Sequence, residues 1–169
     1  MHLQMKQQTT INAPAADVWR VIAHEFAQIG EWASFITDSE AVEDIAPPAG
    51  ATVGGRAFSG AFGDVQEGFT YYDEEAMHFG YTGIGDPPAF IKDSENNWTV
   101  RALGSDKSVV ESRAEMEFNL FPGLLLMPVI KMQMGRMSPK LLAELKYYVE
   151  HGQPHPRKVA AAAKQLKTA

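Results

Sequence analysis

The sequence predicts a single α+β domain in which a curved antiparallel sheet of seven strands wraps around a long C-terminal helix. The 169 residues have the length of one domain. Between about residues 39 and 120, Val, Phe, Tyr and Thr recur with period two, and short breaks containing Gly, Pro, Asp or Asn separate the segments. Beyond residue 124, apolar residues recur every three or four positions instead, which is the spacing of an amphipathic helix.

The N-terminal part is predicted to contain one strand and two short helices. Residues 3–11 alternate weakly and form the strand. Asn12 can cap the first helix, and Pro14 fits its first turn because the N–H that proline lacks has no partner there. Apolar residues at helical spacing carry this helix to about Ala23. Gly30 is expected to end or bend the second helix.

Six further strands are predicted after the two short helices. They cover about residues 38–46, 52–60, 63–73, 76–84, 95–104 and 108–119. The short breaks between them indicate sequential antiparallel hairpins rather than parallel crossover units. In the last strand, apolar or small residues from Val110 to Phe118 alternate with charged residues. This alternation is typical of a sheet that is covered on one face only.

The predicted cover is a helix over about residues 124–151, whose apolar stripe starts at Met127 and reaches Tyr148. Pro139 predicts either a kink or a restart, and Gly152 is expected to end the helix.

The predicted domain boundary lies after residue 152. Residues 153–169 form a basic tail rich in Pro and Ala. The sequence leaves two alternatives for this tail: a solvated end, or a segment that packs on the domain or on a partner chain.

Composition excludes several classes of function. The net charge of −6 argues against a nucleic-acid partner. The chain has no cysteine, which rules out disulfides, thiolate catalysis and zinc sites built on sulfur, and its five histidines lack metal-ligand spacing. No nucleotide-binding or Ser-His-Asp motif is present, so no cofactor is expected. No signal peptide or membrane span is recognised, so a cytoplasmic location is expected.

Four motifs in this order resemble the Bet v 1/START-like (SRPBCC) superfamily, in particular its bacterial polyketide cyclase/dehydrase and lipid-transport branch. They are INAPAADVW at residues 11–19, VGGR at 53–56, EGFTYYD at 67–73, and the stretch 141–158. The resemblance extends over about residues 3–158. It implies a helix-grip fold with a cavity between the sheet and the last helix.

The resemblance also implies the residues of a ligand site. In the family, the positions that match Arg56 and Glu67 point into the cavity. Alternation along the strands and the ends of the helices then add the remaining ligand-binding candidates: Trp32, Phe35, Phe58, Phe69, Tyr71, Phe79, Tyr81, Trp98, Met127 and Met134. Where the branch usually has Asn-Tyr, this chain has Asn97-Trp98, which leaves the register of that strand open by one residue.

Each candidate also has a structural interpretation. Arg56 can bind a carboxylate or phenolate while Glu67 orients or deprotonates a polar ligand group, or the two side chains can pair with each other across neighbouring strands. The aromatic and methionine residues can line a pocket or fill the core.

The predicted function is the binding or transport of a small hydrophobic molecule with one polar end. The first alternative is an aromatic polyketide cyclase or dehydratase, with Glu67 as its catalytic residue. The second is a stress-response or protein-interaction module, because this fold serves carriers, receptors and enzymes alike. The oligomeric state is open, with a homodimer among the expectations.

Overall fold

The computed structural model of the chain describes residues 2–61, 63–85 and 90–165, except for the side chains of residues 120–125. Seven strands are present: β1 (His2–Ile11), β2 (Ile36–Ala41), β3 (Gly55–Gly60), β4 (Gly63–Asp73), β5 (His78–Gly83), β6 (Ile91–Ala102) and β7 (Ser108–Phe118). The helical elements are α1 (Ala15–Trp19), a π-helical turn (Arg20–His24), a 3₁₀ helix (Phe26–Glu31), α2 (Leu120–His151) and α3 (Pro156–Gln165). These elements and their order confirm the predicted fold.

All strand pairs of the sheet are antiparallel, in the order β1-β7-β6-β5-β4-β3-β2. The first and last strands of the chain are therefore neighbours, while β2 and β1 form the two edges. Trp98 on β6 lies opposite Phe79 on β5 and Ser112 on β7. Trp98 and Phe79 are both buried. Of the two registers that the sequence allowed for this strand, the structure therefore has the one in which Trp98 points inward.

The core lies between the inward face of the sheet, the N-terminal helical elements and the C-terminal half of α2. Its largest fully buried members, Trp19, Phe26 and Phe79, are each 1% exposed. Leu142 and Leu145 are the buried apolar residues that α2 contributes. Since α2 packs chiefly on β1 and β7, its N-terminal half covers only part of the sheet. Among the described residues, no helix combines the length and apolarity that crossing a bilayer requires.

Strand β2 ends five residues earlier than predicted, because the chain then folds back over β3. A Cβ atom at Gly54 would lie 2.2 Å from the carbonyl oxygen of Ile45, so this backbone approach requires glycine. Gly54 belongs to the VGGR motif, and the loop that contains Ile45 is the segment that approaches it.

The C-terminal tail packs back on its own chain. Glu144 of α2 is fully buried and accepts hydrogen bonds from Ser34 N (2.9 Å) and Ser34 Oγ (2.7 Å). Arg157 of α3 lies with its Nε 3.0 Å from Glu144 Oε1, at an angle outside that of a hydrogen bond, so the contact is an ion pair. Lys158 Nζ donates to the Ile36 carbonyl at 2.6 Å. The tail thus connects α2 to the start of β2. Of the two alternatives that the sequence left for the tail, the structure has the one in which it packs on the domain. The domain boundary after Gly152 stays a prediction.

We expect Arg157→Gln to lower the free energy of unfolding by about 2 kcal/mol, because it leaves a buried carboxylate without its counter-ion. Urea denaturation measures this difference. Arg136→Gln is the matched control, since Arg136 is exposed on α2 and makes no ion pair within the described residues; its effect should stay within about 0.5 kcal/mol. Equal effects of both substitutions would show that the tail contact contributes nothing.

Candidate ligand-binding site

The predicted charge pair is present on the inward face of the sheet. Arg56 on β3 and Glu67 on β4 are directly opposite each other in the ladder. Glu67 Oε2 accepts a hydrogen bond from Arg56 Nε at 2.8 Å, and Arg56 Nη2 lies 2.6 Å from the same oxygen in an ion pair. The side chains are 6% and 14% exposed. The sequence allowed Arg56 and Glu67 either to contact a ligand or to pair with each other, and in the structure they pair with each other.

The Arg56 guanidinium also rests on aromatic rings. Its central carbon lies 4.0 Å from the centroid of Phe26 and 5.0 Å from that of Tyr81. Arg56 Nη1 donates to the Phe26 carbonyl oxygen at 3.2 Å. A guanidinium over a ring face is attracted by the ring quadrupole, the more so where water is excluded. Arg56 thereby fixes the start of the 3₁₀ helix against the sheet.

The polar network continues to the neighbouring strands. The side chains of Trp98 and Arg56 lie near the Tyr81 hydroxyl on β5 as donors that favour its ionised form. Burial, followed by the negative charge of Glu67, raises the pKa of Tyr81 to about 12. Tyr81 is therefore neutral at physiological pH. Glu67, Arg56, Tyr81 and Trp98 form one connected network across four strands.

The part of the inward face around this network is tightly packed. An internal void of about 10 Å³ remains, and its lining includes Phe26, Trp32, Arg56, Phe79 and Tyr81. This volume is room for about one water molecule. The ring of Phe26 occupies the centre, 4.3 Å from the ring of Phe69 and 5.4 Å from that of Tyr81, measured between centroids. We call this region the packed half of the inward face.

Beyond the ion pair, the same face is more accessible, and we call this region the open half. Here the inward-pointing side chains are only half-buried. They are Met5, Phe58, Val65, Ser94, Asn96, Ala114 and Met116 on the strands, with Met127, Met134 and Met137 on α2. In the packed half, by contrast, Phe79 and Trp98 are at most 5% exposed. The open half is thus a mainly apolar surface whose side chains remain partly exposed.

Most predicted site residues take the expected side of the sheet. Trp32 is buried beside the void, and Phe35 is half-buried where the 3₁₀ helix leads into β2. Phe58 and Phe69 pack against the core cluster. Met127 and Met134 lie on the half-buried side of α2.

Tyr71 is the exception, because its predicted inward orientation is wrong. The register of β4 against β5 shifts between Phe69 and Tyr71, so that strict alternation fails there. The Tyr71 hydroxyl donates to Asn97 Oδ1 at 2.7 Å and contacts His78 Nε2 on the outer face. The ring lies over Gly80, where a Cβ atom would be only 2.4 Å from Tyr71 Cε1.

Tyr72 takes the inward place that the sequence assigned to Tyr71. Its ring centroid lies 5.4 Å from that of Trp19 and 5.3 Å from that of Phe69. A single extra residue in a strand reverses the alternation after it, and nothing in the local sequence marks this bulge.

The sequence also gave no indication of a polar cluster around Glu74, in the turn between β4 and β5. Glu74 Oε2 accepts hydrogen bonds from Trp19 Nε1 at 2.8 Å and from the Tyr72 hydroxyl at 2.7 Å, and His24 Nε2 lies 2.8 Å from Oε1. Burial alone would raise the pKa of Glu74, but the hydrogen bonds from Trp19, Tyr72 and His24 outweigh it and lower the pKa. The cluster connects this turn to α1 and to the π-helical turn.

A larger concavity than the void at the charge pair lies elsewhere among the described residues. It is an open groove of about 440 Å³ along β2, β3 and β4. Most of its lining side chains alternate with the inward ones and so point to the outer face, among them Asp38, Glu40, Ala57, Asp64 and Gln66. It is polar and carries three carboxylates, whereas pockets for small molecules are mostly apolar. In the part of the chain that the structure describes, no three acidic or histidine side chains converge as metal ligands would.

We expect removal of one member of the ion pair to destabilise the protein more than removal of both. Arg56→Met leaves the Glu67 carboxylate desolvated and unpaired, which should cost about 3 kcal/mol, whereas the double variant Arg56→Met/Glu67→Met should cost about 1 kcal/mol or less. Urea denaturation of the wild type, both single variants and the double variant gives the comparison. Additive losses would show that the two charges do not depend on each other.

The Glu74 cluster predicts a pH effect. The pKa of Glu74 is lower in the folded state than its ordinary value of 4.5. The ionised carboxylate therefore stabilises the folded state at pH values above 4.5, and this stabilisation is lost as the pH falls through the folded-state pKa. We therefore expect thermal stability to fall between about pH 5 and pH 3, and to fall less in Glu74→Gln. Thermal melting followed by tryptophan fluorescence tests this, and identical pH profiles would contradict it. Glu75→Gln, in the same turn and exposed, is the matched control.

Similar proteins agree with this architecture. The family described as polyketide cyclase / dehydrase and lipid transport has a model that matches residues 2–150. None of the curated proteins is a significant match to the sequence.

Three solved structures illustrate the likeness of fold. The di-domain ARO/CYC protein BexL has a TM-score of 0.71 at 15% identity, over 88% of this chain and 46% of its own. Norcoclaurine synthase from Thalictrum flavum has a TM-score of 0.68 at 16% identity, over 88% and 94%. A START superfamily protein from Mycobacterium smegmatis has a TM-score of 0.61 at 13% identity, over 86% and 98%. The chain belongs to the polyketide cyclase/dehydrase and lipid transport family.

Proposed function

We propose that this protein binds a small hydrophobic molecule between the sheet and the N-terminal half of α2. The observation that carries the proposal is the open half of the inward face, where apolar side chains that would form a core in a solid domain are only half-buried. Phe58 and Val65 on the strands and Met134 on α2 are examples. Leaving such surface in water costs about 25 cal/mol for each Å². A bound apolar molecule would recover this free energy.

The side chains of the open half are flexible enough to adapt to ligands of different shapes. Met5, Met116, Met127, Met134 and Met137 supply five flexible thioethers from β1, β7 and α2. Methionine has three rotatable bonds and a polarisable sulfur, and it is common where a surface must adapt to its partner. The polar part of the ligand would lie at the Arg56–Glu67 pair, where the open and packed halves meet.

A second candidate is an enzymatic cyclase or dehydratase function, and one observation favours it. Glu67 is a carboxylate at the border of an apolar concave surface, beside the neutral hydroxyl of Tyr81. A base and a neutral hydroxyl in such a place could move protons on a bound poly-ketone. The structural likeness to an ARO/CYC protein is compatible with this candidate, although a shared fold alone does not establish an activity. Incubation with a linear poly-β-ketone and mass spectrometry for loss of water would test it.

We expect the purified protein to bind the apolar fluorescent probe N-phenylnaphthylamine, and Ala114→Trp to weaken this binding by about tenfold or more, which is about 1.4 kcal/mol. Ala114 points into the open half opposite Met5 and Asn96, so an indole there would occupy the space for the ligand. Fluorescence titration measures the affinity.

Arg113→Trp is the matched control for this experiment. Arg113 is the preceding residue on β7 and points to the outer face, so its replacement adds the same indole without reducing the inner space. If the wild type binds no probe, and native mass spectrometry shows no co-purifying compound, the binding proposal fails and the interaction-module alternative takes its place. If both tryptophan variants bind equally well, the ligand lies elsewhere.

A further inference from the structure

The carboxylate of Glu67 has one oxygen that the protein does not use. Arg56 Nε donates to Oε2 and Arg56 Nη2 forms its ion pair with the same oxygen, whereas within the described residues Oε1 accepts no hydrogen bond. The side chain is only 14% exposed. Carboxylate oxygens in such a place are normally hydrogen-bonded, because each ionised oxygen can accept two hydrogen bonds.

Space for a donor is available on the side of Glu67 that faces away from Arg56. The residue opposite Glu67 on β5 is Gly83, which is exposed and follows the inward-pointing Tyr81 by two positions. A Cβ atom built on Gly83 would meet no atom closer than 4.0 Å. None of the described side chains therefore fills the inward position next to the carboxylate, while Arg56 fills the corresponding position on β3.

Arg56, by contrast, has little to offer a ligand. Its donors are directed to Glu67, to the Phe26 carbonyl and to Tyr81. Its charge is already balanced by Glu67, so an anionic ligand would bring a second negative charge next to the carboxylate. Like charges placed together in a poorly solvated site are unfavourable. The Trp98 indole, which is a donor only, is directed to the Tyr81 hydroxyl in the same network.

We propose that the site selects neutral apolar molecules that carry a hydroxyl group, such as phenols or apolar alcohols, and that this hydroxyl donates to Glu67 Oε1. Carboxylates are disfavoured, which reverses the role that the sequence suggested for Arg56. The inference rests on the proposed function, because it specifies the chemical class of ligand for the same site.

The test compares naphthalene, naphthol and naphthoate, which share one ring system and differ in the polar group. In the wild type at neutral pH we expect naphthol to bind about tenfold to a hundredfold more tightly than naphthalene, the range of a hydrogen bond to a charged acceptor. Naphthoate should bind more weakly than naphthalene. Isothermal titration calorimetry gives the three affinities.

Glu67→Gln should invert the preference for the polar group. The substitution removes the negative charge and leaves the Arg56 guanidinium without a counter-ion, so that naphthoate should become the tightest of the three ligands. Glu95→Gln is the matched control, because it removes the same charge from the outer face, where Glu95 accepts a hydrogen bond from Thr70 Oγ1 at 2.9 Å. It should leave the order of the three affinities unchanged.

The outcomes separate this inference from the function on which it rests. If none of the three molecules binds, the proposed function itself fails. If naphthalene and naphthol bind equally, or if naphthoate is preferred by the wild type, the hydrophobic site stands and the role of Glu67 is wrong.

Should Glu67→Gln not fold, Gly83→Leu provides the second variant: it fills the space beside the carboxylate and should abolish the advantage of naphthol. An unchanged advantage in that variant would overturn the inference.

Discussion

The ion pair between Arg56 and Glu67 is the interaction on which the interior of this domain depends. A guanidinium on the inward face of a sheet is costly unless a charge and hydrogen bonds compensate for it. Glu67 supplies the charge, and the Phe26 carbonyl supplies a further acceptor. Because that carbonyl belongs to the first residue of the 3₁₀ helix, the charge pair also determines where this helix meets the sheet. The aromatic rings then pack around a guanidinium whose position is fixed.

This arrangement divides the inward face into two parts with different properties. On one side of the pair, Phe26 and Phe79 form a solid core with no room for a ligand. On the other side, α2 packs chiefly on β1 and β7, so that Phe58 and Val65 on the middle strands are less covered. The C-terminal tail holds α2 at its far end through the Glu144–Arg157 pair. The helix is thus well anchored toward its C-terminus, and the proposed ligand position lies beside its N-terminal half.

The sequence predicted those features that follow from alternation and failed where alternation breaks. Period two placed Phe79 and Trp98 on the inward side correctly, because β5 and β6 keep their register there. It failed at Tyr71, where a bulge reverses the alternation. The Glu74 cluster could not be predicted from alternation either. Trp19 and Glu74 are 55 positions apart in the sequence, and only folding brings them together. The same holds for Arg157 and Glu144, whose residue types gave no sign of a contact.

The energetic cost of the charge pair also bears on its purpose. An apolar pair of similar volume at positions 56 and 67 would be about as stable, or more so, because burying two ions costs as much as their attraction returns. Stability alone therefore does not account for Arg56 and Glu67. What they supply is an acceptor in an otherwise apolar surface: the arginine fixes its position, and Glu67 Oε1 accepts no hydrogen bond from the residues that the structure describes. A surface of apolar residues alone would hold many molecules of similar shape, whereas an unpaired acceptor penalises every ligand that lacks a donor. Under the proposed function, the pair is the element of the fold that would make binding selective.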